Sequence, residues 1–191
     1  MINFFEEPHR LREIVDQHQH VVAGTGHRFD KLTGLGKGIY RRPRVLQQCQ
    51  ANLDRLAAHF LRKFEADLAI TGGALAWDMA VGRGAASIGV PYVVAVPFLG
   101  QERRWSDEQQ RMYRELLDGA AHVVVVSDGG FDAQKMKRRN RVMVDHAHRM
   151  LALWDGTAGG TGHCVNYALR QRVRVSNVWK PYRERLWIPG E

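Results

Sequence analysis

The chain predicts an α/β fold, a Rossmann-like doubly wound, mostly parallel sheet of five to six strands flanked by helices. Three observations lead there. Short apolar runs alternate with helical segments along the 191 residues, the rhythm of βα-built sheets. The runs are apolar without a polar break, as in Tyr92-Val93-Val94-Ala95-Val96, so both strand faces are buried and helices cover both sides. Several run directly into glycine turns: Val21-Val22-Ala23-Gly24-Thr25-Gly26-His27-Arg28, Ala69-Ile70-Thr71-Gly72-Gly73, and Leu151-Ala152-Leu153-Trp154-Asp155-Gly156 before Gly159-Gly160-Thr161-Gly162. Such turns line up backbone N–H groups that bind anions, phosphate above all.

The elements follow in order. Residues 1–18 form an N-terminal segment with a short helix over 9–18, and the first strand covers 20–24. Residues 29–40 read as a long glycine-spaced loop, either a lid over a ligand or a plain connection. Val45, Leu46, Cys49, Leu53, Leu56, Ala57, Phe60, Leu61 and Phe64 recur at three- and four-residue steps, which predicts a long amphipathic helix. A second strand at 67–72, a helix rich in small residues at 76–88 and a third strand at 92–98 come next. Ser106-Asp107-Glu108-Gln109 has the form of a capping box that starts a helix at Asp107. A fourth strand at 122–127, a basic helix at 132–147, a fifth strand at 150–155, a helix at 161–171 and a sixth strand at 173–179 complete the pattern. Residues 180–191 read as an irregular arm. One domain over 1–191 is expected at this length.

Composition narrows the function classes. With 45% hydrophobic and 25% charged residues the chain resembles an ordinary soluble globular protein. No apolar run approaches a membrane span, so no membrane partner is expected. The start, Met1-Ile2-Asn3-Phe4-Phe5-Glu6-Glu7, lacks a signal-peptide core, and the expectation is a cytoplasmic protein. The two cysteines, Cys49 and Cys164, fall on different predicted helices and suggest no disulfide. A net charge of +8 favours nucleic acid or phosphorylated small molecules as partners, although a solvated basic face would give the same count.

Ligands of doubly wound sheets bind beyond the carboxyl ends of the strands, so candidate residues sit there. His27 and Arg28 follow the first turn, Arg offering bidentate phosphate recognition and His a proton near neutral pH. Asp78 opens the helix after Gly72 and Gly73, as a carboxylate for the helix dipole or for a ribose. Phe98, Gln101, Arg104 and Trp105 follow the third strand, and Arg139 and Asn140 lie on the basic helix. No Gly-x-x-x-x-Gly-Lys-Ser/Thr sequence is present, which argues against a P-loop ATPase. His18/His20 and His146/His148 are spaced i,i+2, pointing apart on a helix, so no metal site is expected. No cofactor is called for.

Taken together, Gly24-Thr25-Gly26-His27-Arg28, Thr71-Gly72-Gly73-Ala74-Leu75-Ala76-Trp77-Asp78, Val96-Pro97-Phe98-Leu99-Gly100-Gln101, Lys137-Arg138-Arg139-Asn140, Met143-Val144-Asp145 and Trp154-Asp155-Gly156-Thr157-Ala158-Gly159-Gly160-Thr161 resemble the SLOG superfamily, and within it the YpsA-like branch. The superfamily includes the Rossmann domain of DNA-processing protein A and the Lonely Guy phosphoribohydrolases, which remove the base from cytokinin nucleotides. The resemblance implies nucleotide binding and a homo-oligomer. It puts Arg139 where the Lonely Guy enzymes have a substrate-binding catalytic arginine, and Gly159, Gly160 and Thr161 on their phosphate turn. Where those enzymes continue with a glutamate pair, this chain has Gly162-His163-Cys164.

The leading expectation is a nucleotide-like ligand with phosphate on residues 159–162 and on the turn of Gly24, Thr25 and Gly26. Arg28 and Arg139 match its charge, Asp78 holds its sugar, Trp105 or Phe98 borders its base, and Asp155 and Gly156 complete the edge. The alternatives are an N-glycosidic hydrolase using Asp78 or Asp145 with His27 or His163, and a nucleic-acid binder whose affinity falls steeply with salt.

Overall fold

Strand β1 (Val21–Gly26) is the centre from which the sheet is built. The computed structural model describes residues 9–34 and 36–185. It contains β2 (Leu68–Thr71), β3 (Tyr92–Val96), β4 (His122–Val125), β5 (Arg149–Leu153) and β6 (Arg174–Asn177) in the order β4-β3-β2-β1-β5-β6. Every pairing is parallel, with Val22 opposite both Ala69 and Arg149. The sheet is therefore six-stranded and wholly parallel.

Unbroken apolar strands supply side chains to both faces in alternation. Val22, Ala69, Val94 and Leu151 enter one core; Val21, Ala23, Ile70, Val93 and Met150 enter the other. The second core is covered by α1 (Arg10–Val15), α6 (Ala133–Asp145) and α7 (Gly160–Arg170). The first is covered chiefly by α2 (Phe29–Leu32), α3 (Pro43–Lys63), α4 (Trp77–Ser87) and α5 (Asp107–Asp118).

The small residues of α4 have a packing cause. A Cβ on Gly84 would stand 2.8 Å from the Asp54 carbonyl oxygen and 2.9 Å from the Ala58 nitrogen of α3, so α4 lies close under α3 and flat on the sheet. The expected capping box is present: Gln109 donates its amide to Ser106 Oγ at 3.4 Å, and the Ser106 amide donates to Gln109 Oε1 at 3.1 Å.

Two expectations need correction. Residues 29–40 are not a plain loop, because α2 and a 3₁₀ turn at Gly36–Arg41 bury Phe29, Leu32 and Ile39 in the core. Apolar residues at those positions outweigh the glycines between them. The expected irregular arm begins as α8 (Trp179–Arg185), pinned by Tyr182, whose hydroxyl donates to the Leu32 carbonyl at 2.6 Å. The rest of that arm and residues 1–8 lie outside the described residues. No described helix is long and apolar enough to cross a membrane.

Candidate functional site

After β4 the chain returns to lay β5 on the far side of β1. The connections leaving β1 and β5 diverge there, and the crevice they open is where such sheets receive ligands. A cavity of about 290 Å³ occupies that point. β1 and its continuation bring Thr25, Gly26, His27 and Arg28; α7 brings Gly159, Gly160 and Thr161; α6 brings Met136, Arg139 and Asn140. Ala74 and Asp78 close it from the β2–α4 side, and Asp30 and Lys31 of α2 form a rim.

A buried pair forms the floor. Arg139 Nη1 lies 3.5 Å from Asp78 Oδ2, with side chains only 5% and 7% exposed. Burial pushes the Asp78 carboxyl pKa up; Arg139, the Ala74 amide, Arg28 and the Gly26 amide pull against that shift without cancelling it. Arg139 Nε is buried without a hydrogen-bond partner among the described residues. A guanidinium with one long ion contact and an idle N–H is under-satisfied, and the usual remedy is an anion.

The β1 and β5 ends are tied together. His27 Nε2–H donates to Asp155 Oδ1 at 2.6 Å, and that oxygen also accepts from the Thr157 amide at 2.9 Å and hydroxyl at 2.6 Å. Burial would raise the Asp155 pKa, but the bonds from Thr157 and then His27 hold it well below the ordinary carboxylate range. Lys31 Nζ reaches Thr157 Oγ1 at 3.0 Å and so joins α2 to this brace.

The start of α7 is open. Gly159 precedes the helix at φ 147°, no side chain caps it, and a Cβ on Gly159 or Gly160 would meet nothing within 4 Å. An eleven-residue helix thus presents its N-terminal amides and dipole to the cavity beside Arg139. In the segment between Ala74 and Asp78 of the cavity wall, the buried Ala76, the residue before α4, holds φ 74°, a strained conformation for alanine of the kind that collects at functional sites.

A family model for YpsA, described as the YspA SLOG family, matches residues 42–178. The chain belongs to this SLOG family. The SPbeta prophage-derived protein YoqJ of Bacillus subtilis (strain 168) is 32% identical over 115 residues, covering 52% of this chain and 67% of that protein. A UPF0398 protein of Bacillus anthracis (strain A0248) is 24% identical over 85 residues, covering 44% and 46%. In fold, this SLOG chain is similar to DNA processing protein A of Streptococcus pneumoniae (TM-score 0.58, 15% identity, 84% of this chain and 50% of the other). The Helicobacter pylori protein of that name scores 0.58 at 15% identity, covering 85% and 66%. The matches thus span only part of each relative's length, about half of the UPF0398 protein and of the Streptococcus pneumoniae protein and two thirds of the other two.

The SLOG chain distributes its expected site residues unevenly. Thr25, Gly26, His27, Arg28, Asp78, Arg139, Asn140, Gly159, Gly160 and Thr161 share the one cavity. Phe98, Gln101, Arg104 and Trp105 line a second cavity of about 450 Å³ that meets the first at Arg28 and Met136. Gln101 Nε2 donates to Tyr113 Oη at 2.7 Å, and Trp105 sets its ring against Tyr113 at 5.4 Å, so both are partly committed to packing.

The other expected residues do different work. Gly24 stands inside β1, where a Cβ would press into Val81 (2.9 Å from its Cβ). The site of a Cβ on Gly72 is filled by the Arg139 guanidinium, and the Gly73 amide donates to Thr71 Oγ1 at 3.3 Å. Asp155 and Gly156 belong to the brace and its turn, not to the cavity lining, and Gly162 is buried against Trp154. Asp145 is six residues beyond Arg139 on a helix that runs back toward the strand N-termini, roughly 9 Å away; it is exposed and accepts from Tyr167 Oη at 2.8 Å. Desolvation and then Lys137 and Arg141 of α6 and Arg170 of α7 lower the His163 pKa. Neither lines the cavity.

Sequence reasoning missed Asp30, Lys31, Ala74 and Met136 as lining residues. The lid reading of 29–40 was the available signal for the first two. Among the described residues no cluster of three or more His, Cys, Asp or Glu side chains is placed to hold a metal ion.

Proposed function

We propose that this protein binds a nucleotide or nucleotide-derived ligand through its phosphate at the β1/β5 switch point. The carrying observation is Arg139: a buried guanidinium with an unpartnered Nε, beside the uncapped α7 N-terminus, in one cavity. The phosphate sits on Gly160 and Thr161 and faces Arg139 and Arg28, and Asp78 or Asn140 receives a sugar hydroxyl. SLOG membership supports the reading. Calorimetry and thermal shift against mono-, di- and cyclic nucleotides test it. Binding is expected to weaken at least tenfold in Arg139→Lys, since a charge-assisted contact contributes about 1.5–3 kcal/mol. Silence across the panel refutes it.

Nucleic acid is the second reading. A groove of about 560 Å³ along α6 is lined by Lys137, Arg138 and Arg141, and the similarly folded Helicobacter pylori protein has a single-stranded DNA binding mode. This reading requires log affinity for an oligonucleotide to fall steeply with log salt; a flat response removes it. Base release by N-glycosidic cleavage would have to rely on Asp78 and His27 alone, because Asp145 and His163 stand outside the cavity. Incubation with nucleoside monophosphates and chromatography for free base checks that. Pairing of two copies, implied by the resemblance, is read by light scattering.

A further inference from the structure

The cavity at the switch point does not end at Arg28. Arg28 and Met136 form part of the wall of both cavities, so one trough runs from the α7 N-terminus to the segment between β3 and α5. Its two halves differ in chemistry. The first offers helix amides and a buried arginine. The second offers Arg103 and Arg104 together with the rings of Phe98, Trp105 and Phe131.

Two details mark the second half as a contact surface. The large apolar side chains most exposed among the described residues are Leu99, Phe131 and Leu169, and the first two, at 50% and 73%, both line it. Apolar groups left in water at a cavity rim signal something that covers them. Phe131 stands edge-on to Phe98 at 6.0 Å, and the Arg103 side chain lies along Gly100. Among the described residues, no carboxylate lies within 4.0 Å of Arg28, Arg103 or Arg104 in an ion pair.

A mononucleotide seated on α7 would leave those rings and arginines unused. We propose that the ligand is a two-unit nucleotide: two nucleosides joined through phosphate, one in each cavity, with the linking phosphate at Arg28. The second base stacks among Phe98, Trp105 and Phe131, and Arg103 and Arg104 contribute charge and planar guanidinium surfaces. This rests on the reading of the first cavity as a nucleotide site.

Calorimetry with three probes decides it: a nucleoside monophosphate, a dinucleoside pyrophosphate and a 5′-phosphorylated dinucleotide. One of the two-unit probes is expected to bind at least tenfold more tightly than the monophosphate, and which one does so identifies the linkage. Arg103→Ala combined with Arg104→Ala, and separately Phe131→Ser, should erase that gain and leave monophosphate affinity unchanged. These side chains are exposed, and unchanged monophosphate binding reports that each variant is folded. Equal affinity for one- and two-unit probes, or a gain that survives the substitutions, overturns the proposal while the first cavity stands. If no nucleotide binds, both fall.

Discussion

Two glycine-rich regions at the same sheet edge look alike in sequence and differ in space. Within β1 and at the ends of β1 and β2, the room left by missing side chains is taken by the protein itself: Val81 against Gly24, Trp77 against Gly26, Arg139 against Gly72. At the start of α7, Gly159 and Gly160 face nothing within 4 Å. A glycine turn at a strand end therefore identifies where backbone must come close to something. It does not say whether that something is a helix, a side chain or a ligand. The α7 turn is the open one, and the filled turns serve it by leading into Asp78 and leaving room for Arg139 in the same cavity.

Removing the occupant of the filled side is expected to have the largest effect. Arg139→Met leaves Asp78 buried without its ion partner, and breaking such a pair costs about 3–5 kcal/mol near neutral pH. The pH dependence follows from sign. Burial already raises the Asp78 pKa above its ordinary 3.8, with Arg139 the first counterweight. Without Arg139 the native state holds the proton to still higher pH than the unfolded chain does. Stability then falls as pH rises from the ordinary aspartate value through the raised native one. The deficit against the parent protein should be small at pH 4 and largest at pH 7, measured by urea unfolding at both. An equal deficit at both pH values would mean that the loss is packing alone. Gly72→Ala should reproduce the binding defect, because its methyl group takes the guanidinium's place.

The glycine contrast itself is tested by a matched pair. Gly26→Ala forces a methyl group to within 2.6 Å of Trp77 Cβ, and Trp77 cannot retreat, being fully buried with its Nε1–H donating to the Leu151 carbonyl at 3.1 Å. Overpacking of this kind costs about 1–3 kcal/mol. Gly160→Ala meets open space and should change stability by less than about 0.5 kcal/mol, yet weaken nucleotide binding by crowding the anion's approach to the α7 amides. Equal stability losses in the two variants would erase the distinction between filled and open turns.

The legible and illegible parts of this molecule divide along the same line. Strand identity and parallel pairing were readable because burial on both faces leaves an unbroken apolar run, as in β3. The α5 start was readable because a capping box is local. The edge that carries the cavity was readable as the carboxyl ends of the strands, whereas its place between β1 and β5 follows from a strand order seen only in the fold. What escaped depends on distance in three dimensions. Asp145 is a plausible carboxylate by sequence, but helix phase and direction carry it away from Arg139. Asp30 and Lys31 escaped because α2 folds onto the rim through Phe29 and Leu32, and glycine spacing concealed that short apolar helix. Asp155 matched a ligand motif, whereas His27, adjacent only in space, makes it a brace.

That brace supports the smallest effect and the finest version of the comparison. It joins the filled β1 turn to the loop leading to the open α7 turn, through His27, Asp155, Thr157 and Lys31. Asp155→Asn keeps the shape but weakens the acceptor, and because the group is near the surface the stability loss should stay below about 1 kcal/mol. Its pKa is depressed in the native state, so the contribution is present above the ordinary aspartate value and disappears as pH falls through the lowered one. Parent and variant should therefore differ near pH 7 and converge in strong acid, seen as merging unfolding midpoints. Nucleotide affinity should drop by a few-fold, since the turn before Gly159 loses its tether while the amides themselves remain. If affinity is untouched although the midpoint shifts, the brace holds the fold and does not position the open turn. In that case the two glycine regions are coupled only by sharing one cavity.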